Sequence, residues 1–264
     1  MIRQTHSDIP LWQFENLLSF AEIRHFVSGR HGGVSKEAVG TFNLSFRASD
    51  TRENVLENRR RLANAMGIAP GRLIFPAQTH SDRVQLVTTD TNPDTLTETD
   101  ALITNTPGIC ICVMSADCVP ILLYDPVTKS AGAIHAGWRG TVNKILTRTV
   151  EAMQHHFHTN PADLIAGIGP SISPEIYQVG HEVIVAAQEA FGSTHGLVTN
   201  ENGEGKGHFN LWEANRKQLQ ALQVAETSVE IAGICTYQQS DDFFSARKSA
   251  NQAGRFAAGI MLVD

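Results

Sequence analysis

Ten short apolar runs constrain this chain most. They lie at 23–28, 73–76, 84–87, 101–104, 109–114, 121–125, 130–134, 164–169, 229–234 and 257–263, and their length and composition read as strands. Ten strands rule out a helical bundle. Helical periodicity is confined to 52–66, 141–156, 180–191 and 211–222, with Gly67 placed to stop the first of these. Strands follow strands and the helices fall between groups. That order predicts an α/β fold of the mixed-sheet, layered-sandwich kind rather than a doubly wound parallel sheet. At 264 residues the chain is long enough to bury a sizeable core, and a single catalytic domain over 1–264 is the expected organisation.

Three residues interrupt or end these strands with metal-binding chemistry. They are His80 in QTHSDRV, Cys118 in SADCVPILLYDP and His135 in IHAGWRG, separated by 38 and 17 positions. Two imidazoles and a thiolate suit a borderline-soft ion, and three protein ligands leave a position open, as in catalytic zinc sites. The spacing matches no zinc finger. With 11 His and 4 Cys in the chain, each residue taken alone is more often structural. Context favours ligands: His135 precedes a strand-to-helix turn with two glycines, and SADC breaks an otherwise apolar stretch from 109 to 123.

The turn after His135 allows two readings. Arg139 and the amides around Gly137 and Gly140 form a phosphate cradle at a helix start, or the glycines only permit a tight turn and Arg139 pairs with an acidic neighbour. Cys110 and Cys112 alternate along GICICVM and so share a strand face as core residues. Cys235, in VEIAGICTY, reads as a packed thiol. A reduced cytoplasmic protein is the simplest account of that usage. The segment 201–208, ENGEGKGH, reads as a surface loop rather than a flap, and His155, His156 and His158 at a helix end are left outside the site.

Charge excludes further classes. With 21 basic against 27 acidic residues the net charge is −6, no basic block stands out, and no nucleic-acid-binding surface is expected. The N-terminal segment lacks the pattern of a signal peptide, and no stretch is long and apolar enough to span a membrane.

The motifs taken together resemble the YfiH family of bacterial proteins, also called laccase-like or multicopper polyphenol oxidases and described as purine nucleoside phosphorylases related to FAMIN. The resemblance runs along nearly the whole chain, through HGGVS at 31–35, FNLS at 42–45, ENVLENRRRL at 53–62, DALIT at 100–104, ADCVPILLYD, HAGWRG, GIGPSI at 167–172, YQVG at 177–180, FFSAR at 243–247 and GR at 254–255. It implies zinc, with copper as the alternative ion, held by His80, Cys118 and His135. It also implies phosphorolysis of adenosine, inosine and guanosine, with 5′-methylthioadenosine a further candidate, and adenosine deamination as a second activity. The expected partners are therefore purine nucleosides and phosphate. By motif position Asn43, Arg47, Gln78, Arg139 and Arg247 are the candidate substrate contacts, and Asp117 the first choice for a general acid. Ser81 departs from the family's frequent Gly, Ala48-Ser49-Asp50 from a Gly-Asp turn, and Ala246 and Lys248 from an aromatic residue and a second Arg.

Two other activities attach to this resemblance. A cell-wall precursor hydrolase would use Cys118 as a nucleophile activated by His135. A copper-dependent polyphenol oxidase would need several copper ions and many His-x-His pairs, whereas only His156 and His158 show that spacing.

Overall fold

A computed structural model describes residues 1–36, 39–250 and 252–263. In chain order the first half comprises β1 (Ile2–His6), β2 (Ile9–Gln13), α1 (Glu15–Leu18), β3 (Ile23–Ser28), α2 (Arg52–Met66), β4 (Leu73–Ile74), β5 (Val84–Leu86), β6 (Ala101–Thr104), β7 (Cys110–Ser115) and β8 (Val119–Asp125). The second half comprises β9 (Ser130–Ala136), α3 (Trp138–Val142), α4 (Ile145–Phe157), β10 (Ile165–Ile168), β11 (Gln178–Val179), α5 (His181–Phe191), β12 (Val198–Thr199), β13 (Gly207–Phe209), α6 (Leu211–Ala221), β14 (Val229–Ile231) and β15 (Phe256–Leu262).

Two six-stranded sheets stack face to face, one ordered β1-β2-β3-β15-β7-β4 and the other β14-β10-β8-β9-β6-β5, beside a small sheet β11-β13-β12. The large sheets are mixed: β4–β7, β5–β6 and β10–β14 pair in parallel and the remaining neighbours antiparallel. The period-2 alternation of strand side chains explains the layering. On β8, Ile121 and Leu123 join the core beneath α4, α5 and α6, while Leu122 and Tyr124 join the core between the sheets. On β7, Ile111 and Val113 face the inter-sheet core and Cys110 and Cys112 face α2. The result is four layers, with α2 outside one sheet and α3 to α6 outside the other.

Local chemistry accounts for the helix ends. Thr51 caps α2 by accepting from the Asn54 amide, and Gly67, at φ 69°, closes it in the left-handed region. The apolar positions Val55, Leu62, Ala63 and Met66 turn inward.

Two features differ from the sequence expectation and a third agrees with it. The helix expected over 141–156 is two helices, because Lys144 adopts φ 63° between α3 and α4. An N-terminal hairpin, β1–β2, turns through Ser7 and Asp8 at positive φ; its outer strand is mostly exposed and carries little apolar signal. Residues 201–206 connect β12 to β13 in the small sheet and are mostly exposed, as a surface loop would be, while Gly207 and His208 open β13 itself. Among the described residues no helix is long and apolar enough to cross a membrane.

Candidate active site

Strand register assembles the site. Pairing of β8 with β9 sets Pro120 opposite His135 and Val119 opposite Ala136, which brings Cys118, just before β8, to the end of β9. Pairing of β6 with β9 sets Ala101 opposite Ile134 and lets the His135 amide donate to the Asp100 carbonyl at 2.7 Å. His80 arrives from the loop between β4 and β5 with φ 62°. The ligand atoms of His80, Cys118 and His135 all lie within 4.8 Å of one another, and His80 Nε2 is 3.8 Å from Cys118 Sγ. Gly137 leaves the room they need, since a Cβ there would stand 3.0 Å from Cys118 Sγ and 3.0 Å from His80 Cδ2.

Asp100, which the sequence reading quoted only as the start of a motif, organises the trio. The carboxylate is fully buried. Its Oδ1 accepts from the His80 amide at 3.0 Å and lies 2.8 Å from His135 Nδ1; Oδ2 accepts from the Thr79 amide at 3.0 Å and the Ser81 amide at 2.8 Å. Three successive amides are thus wrapped round one carboxylate, which holds the unusual His80 backbone conformation in place. His135 donates from Nδ1 to this carboxylate, so Nε2 is the nitrogen available to an ion, the pairing that fixes metal-binding imidazoles elsewhere. Ser81 Oγ also sits 2.7 Å from Asp100 Oδ2, so the departure from Gly adds a contact instead of removing one.

Electrostatics separate these groups. Burial alone would raise the Asp100 carboxyl, but the His135 hydrogen bond and charge, with the Thr79 and Ser81 donors, bring it to about 2. Burial would lower His135, yet the Cys118 charge and the Asp100 hydrogen bond lift it to about 9. Burial would raise the Cys118 thiol, yet the charge and hydrogen bond of His135, followed by those of His80, bring it down to about 6. The chain alone therefore carries a thiolate beside an imidazolium at neutral pH. Two imidazole nitrogens and a thiolate converging on a cleared space fit a divalent transition ion.

The trio opens onto a cavity of about 880 Å³, within the roughly 300–1,000 Å³ usual for small-molecule sites. Asp117, Arg47, Gln78, Arg139 and Arg247 line it. Arg139 stacks its guanidinium 4.4 Å from the centre of Trp138, and Arg247 lies 5.4 Å from that of Tyr177. Asn43 does not line it. That residue is fully buried, and its amide is spent on Ser45, Asp50 and the Arg255 amide. Gln78 reaches the lining, but its amide clasps the Met114 backbone, donating at 2.8 Å and accepting at 2.8 Å. Asp117, at φ 85°, accepts from Thr236 Oγ1 at 2.7 Å and from the Arg247 amide at 2.7 Å. Both oxygens are occupied as acceptors, an arrangement that ties the Cys118 turn to the Arg247 loop.

The sequence reading missed Arg59, Arg255 and Tyr177 as lining residues. Their signal lay in motifs already visible, ENVLENRRRL, GR and YQVG. Burial pushes the Tyr177 phenol up from its ordinary value, helped by the Cys118 charge, so it keeps its proton. Ala246 lines the cavity and Lys248 donates to Ser240 Oγ at 2.6 Å.

Comparison with known proteins places this geometry. Residues 24–263 match the family model described as multi-copper polyphenol oxidoreductase laccase. The chain belongs to that family. A purine nucleoside phosphorylase of Bacteroides thetaiotaomicron is 40% identical over 256 residues, covering 94% of this chain and 95% of that protein. Adenosine deaminase RL5, from an unknown prokaryotic organism, is 35% identical over 254 residues, with 93% and 94% covered. The crystal structure of the Bacillus licheniformis protein YfiH superposes with a TM-score of 0.89 at 29% identity, covering 96% of each chain. Similarity of that extent fixes the mixed α/β architecture as the family's own.

Proposed function

We propose that this protein is a cytoplasmic, metal-dependent purine nucleoside phosphorylase that also deaminates adenosine. The observation that carries the reading is the junction of a His-Cys-His cluster with an arginine-lined cavity. Relatives named for each of the two activities support it. His80, Cys118 and His135 would hold zinc, with copper the competing ion on affinity grounds. When bound, zinc supplies a Lewis acid that brings the pKa of water toward 7, which suits deamination at C6 of adenine.

The chain's own residues account for the rest. In phosphorolysis a phosphate oxygen bonds to C1′ as the C1′–N9 bond breaks, the electron pair leaving with the purine, so the dianion must be held beside the ribose. Arg139 and Arg247 are placed for this, each oriented by an aromatic ring. Asp100 fixes His135 and His80, and Asp117 positions Arg247 through its backbone amide. Asp117 was the first choice for general acid; with both oxygens accepting, it serves as an anchor in this reading, and the proton donor to the base is left to another group.

A second reading has its own observation. Cys118, His135 and Asp100 line up as thiolate, imidazole and carboxylate, which supports a cysteine hydrolase of cell-wall precursors. For the polyphenol oxidase, one group of three His or Cys residues among the described residues is close enough to hold a single ion, whereas the multicopper reaction needs several.

The test uses protein purified without added metal, analysed for metal and then given adenosine with and without phosphate. Adenine and ribose 1-phosphate only with phosphate, inosine without it, and loss of both activities on chelation are expected. Arg139→Ala should raise the KM for phosphate through loss of a contact of about 1.5–3 kcal/mol, while deamination changes much less. Equal losses in both reactions would assign Arg139 to the fold or the shared pocket, and absence of both products would overturn the reading.

A further inference from the structure

Four motifs of the sequence supply no ligand to the metal cluster: HGGVS at 31–35, FNLS at 42–45, ENVLENRRRL at 53–62 and GR at 254–255. The fold brings all four together on one polar network. Its centre is Asn43, which is fully buried. Asn43 Oδ1 accepts from the Ser45 amide at 3.0 Å and the Arg255 amide at 3.0 Å, while Nδ2 donates to the Ser45 carbonyl at 3.0 Å and to Asp50 Oδ2 at 2.9 Å. That uses the full capacity of a side-chain amide. Asp50 also accepts from Ser35 Oγ at 2.6 Å and from Asn54 Nδ2 at 2.9 Å. Asn58, buried on α2, accepts from the Val34 amide at 2.9 Å and donates to Ser35 Oγ and to the Asn43 carbonyl at 2.8 Å each.

The network ends in the cavity, which Ser45 and Arg255 both line. The Leu44 amide donates to the Arg255 carbonyl at 3.0 Å, so the 43–44 segment holds the Arg255 backbone through both its amide and its carbonyl. The side chain is only partly committed. Arg255 Nη1 donates to the Ala253 carbonyl at 2.5 Å and the Gly254 carbonyl at 3.0 Å, while among the described residues Nε and Nη2 have no acceptor and no carboxylate forms an ion pair with the guanidinium. Burial lowers its pKa, and the charges of Cys118 and Asp117 oppose that shift. Those two negative groups already balance the guanidinium. Its unused edge therefore suits the neutral acceptor atoms of a nucleoside better than a phosphate, which stays with Arg139 and Arg247.

We propose that Arg255 hydrogen-bonds the nucleoside in both reactions and that Asn43 is the positioning residue that aims it. The inference rests on the reading of this cavity as a purine nucleoside site. Asn43 touches no substrate: its Oδ1 fixes the point from which the Arg255 side chain leaves the backbone, and Asp50 holds the Asn43 amide plane. A guanidinium on a long stem is only as well placed as its backbone, and fixing that backbone in advance lowers the ordering cost when substrate arrives. Arg139 and Arg247 are each oriented by an aromatic ring. Arg255 has no such ring among the described residues and depends on the network instead.

Steady-state kinetics of the metal-loaded protein, with phosphorolysis followed by adenine and deamination by inosine, test both halves. Arg255→Ala should raise the KM for adenosine about tenfold or more in both reactions, the worth of one charge-assisted contact, with the KM for phosphate and the metal content unchanged. Asn43→Ala should move the same constant, and the two changes together should cost no more than Arg255→Ala alone, because the first acts through the second. If Asn43→Ala does not fold, Asp50→Asn, at the half-buried end of the network, is carried through the same cycle. A parent-like KM for adenosine in either reaction of Arg255→Ala overturns the contact, as does a raised KM for phosphate alone, which would give Arg255 to the co-substrate. Parent-like kinetics in the network variant, or losses that add in the double variant, overturn the positioning role and leave the network a stabiliser of the fold. Adenosine left unconverted by the parent protein overturns the nucleoside reading and this proposal with it.

Discussion

Cys112 and Cys118 stand six positions apart on either side of one turn, and their thiols are driven in opposite directions. Burial pushes both up. At Cys112 it is reinforced by Cys110, whose Sγ lies 3.7 Å away, and the thiol is raised well above its ordinary value. At Cys118 two imidazoles reverse the effect and the thiol falls to about 6. The difference is one of partners, not depth: β7 turns Cys112 toward the apolar layer under α2, while Asp117 in the left-handed region swings Cys118 toward the ends of β9 and the His80 loop. The same residue type is core filler on one side of the turn and a candidate ligand on the other.

The largest expected effect follows from removing Cys118. Cys118→Ala should abolish stoichiometric metal binding and lower both activities by about 100-fold or more, beyond the 10–100-fold that changes outside the ligand shell cost, with an unchanged circular dichroism spectrum. Metal content and turnover, measured on the same preparation, check it. Full metal content with no activity would make Cys118 a nucleophile and erase the distinction drawn here.

Next in size is Asp100→Asn. The carboxylate holds the His135 ring through Nδ1 and the His80 backbone through Oδ1, so the amide variant should weaken metal affinity about 10–100-fold. A competition titration against a chelator measures this directly. An unchanged affinity would mean that the trio is preorganised by register alone.

Asp100 also marks where sequence reading stops. The ten apolar runs foretold β3 and β6 to the residue, and all three proposed ligands were visible because each is a metal-binding side chain near an apolar run, although His80 lies in the loop between β4 and β5. Asp100 was not, because its role depends on β6 pairing with β9, a long-range contact that no local pattern encodes. Asn43 misled for a related reason. An amide can read a purine edge or tie down a backbone, and only the fold shows Asn43 spent on Ser45, Asp50 and Arg255. The break at Lys144 was hidden because the apolar spacing of α4 continues the pattern begun in α3, and a single left-handed residue leaves no mark on periodicity.

The contrast in thiol state gives a pH-dependent prediction for metal-stripped protein. A depressed pKa means the thiolate form dominates above it, so alkylation of Cys118 by iodoacetamide should reach half its limiting rate near pH 6, against about 8.5 for an ordinary thiol. The rate should fall as pH drops below that point. Added zinc should suppress the reaction, while Cys110 and Cys112 stay unmodified until the protein is denatured. Peptide mass mapping across a pH series reads all three sites. A midpoint near 8.5 would show that His135 and His80 do not supply the charge assigned to them.

The smallest effect belongs to the other side of the turn. Cys112 Sγ packs over Gly259, where a Cβ would come within 2.7 Å of it, so the sulfur fills a space shaped for it between β7 and β15. Cys112→Ala leaves a methyl-sized void there and should cost about 1 kcal/mol, lowering Tm by about 2–4 °C for a chain of this size. Metal content and turnover should match those of the parent protein, because nothing in the β7 core reaches the ends of β8 and β9 except through strands that keep their register. Differential scanning calorimetry with a parallel metal assay separates the two readouts. A loss of metal in Cys112→Ala would show that packing beneath β7 sets the position of the Cys118 turn, and the two cysteines would then have to be treated as one coupled element.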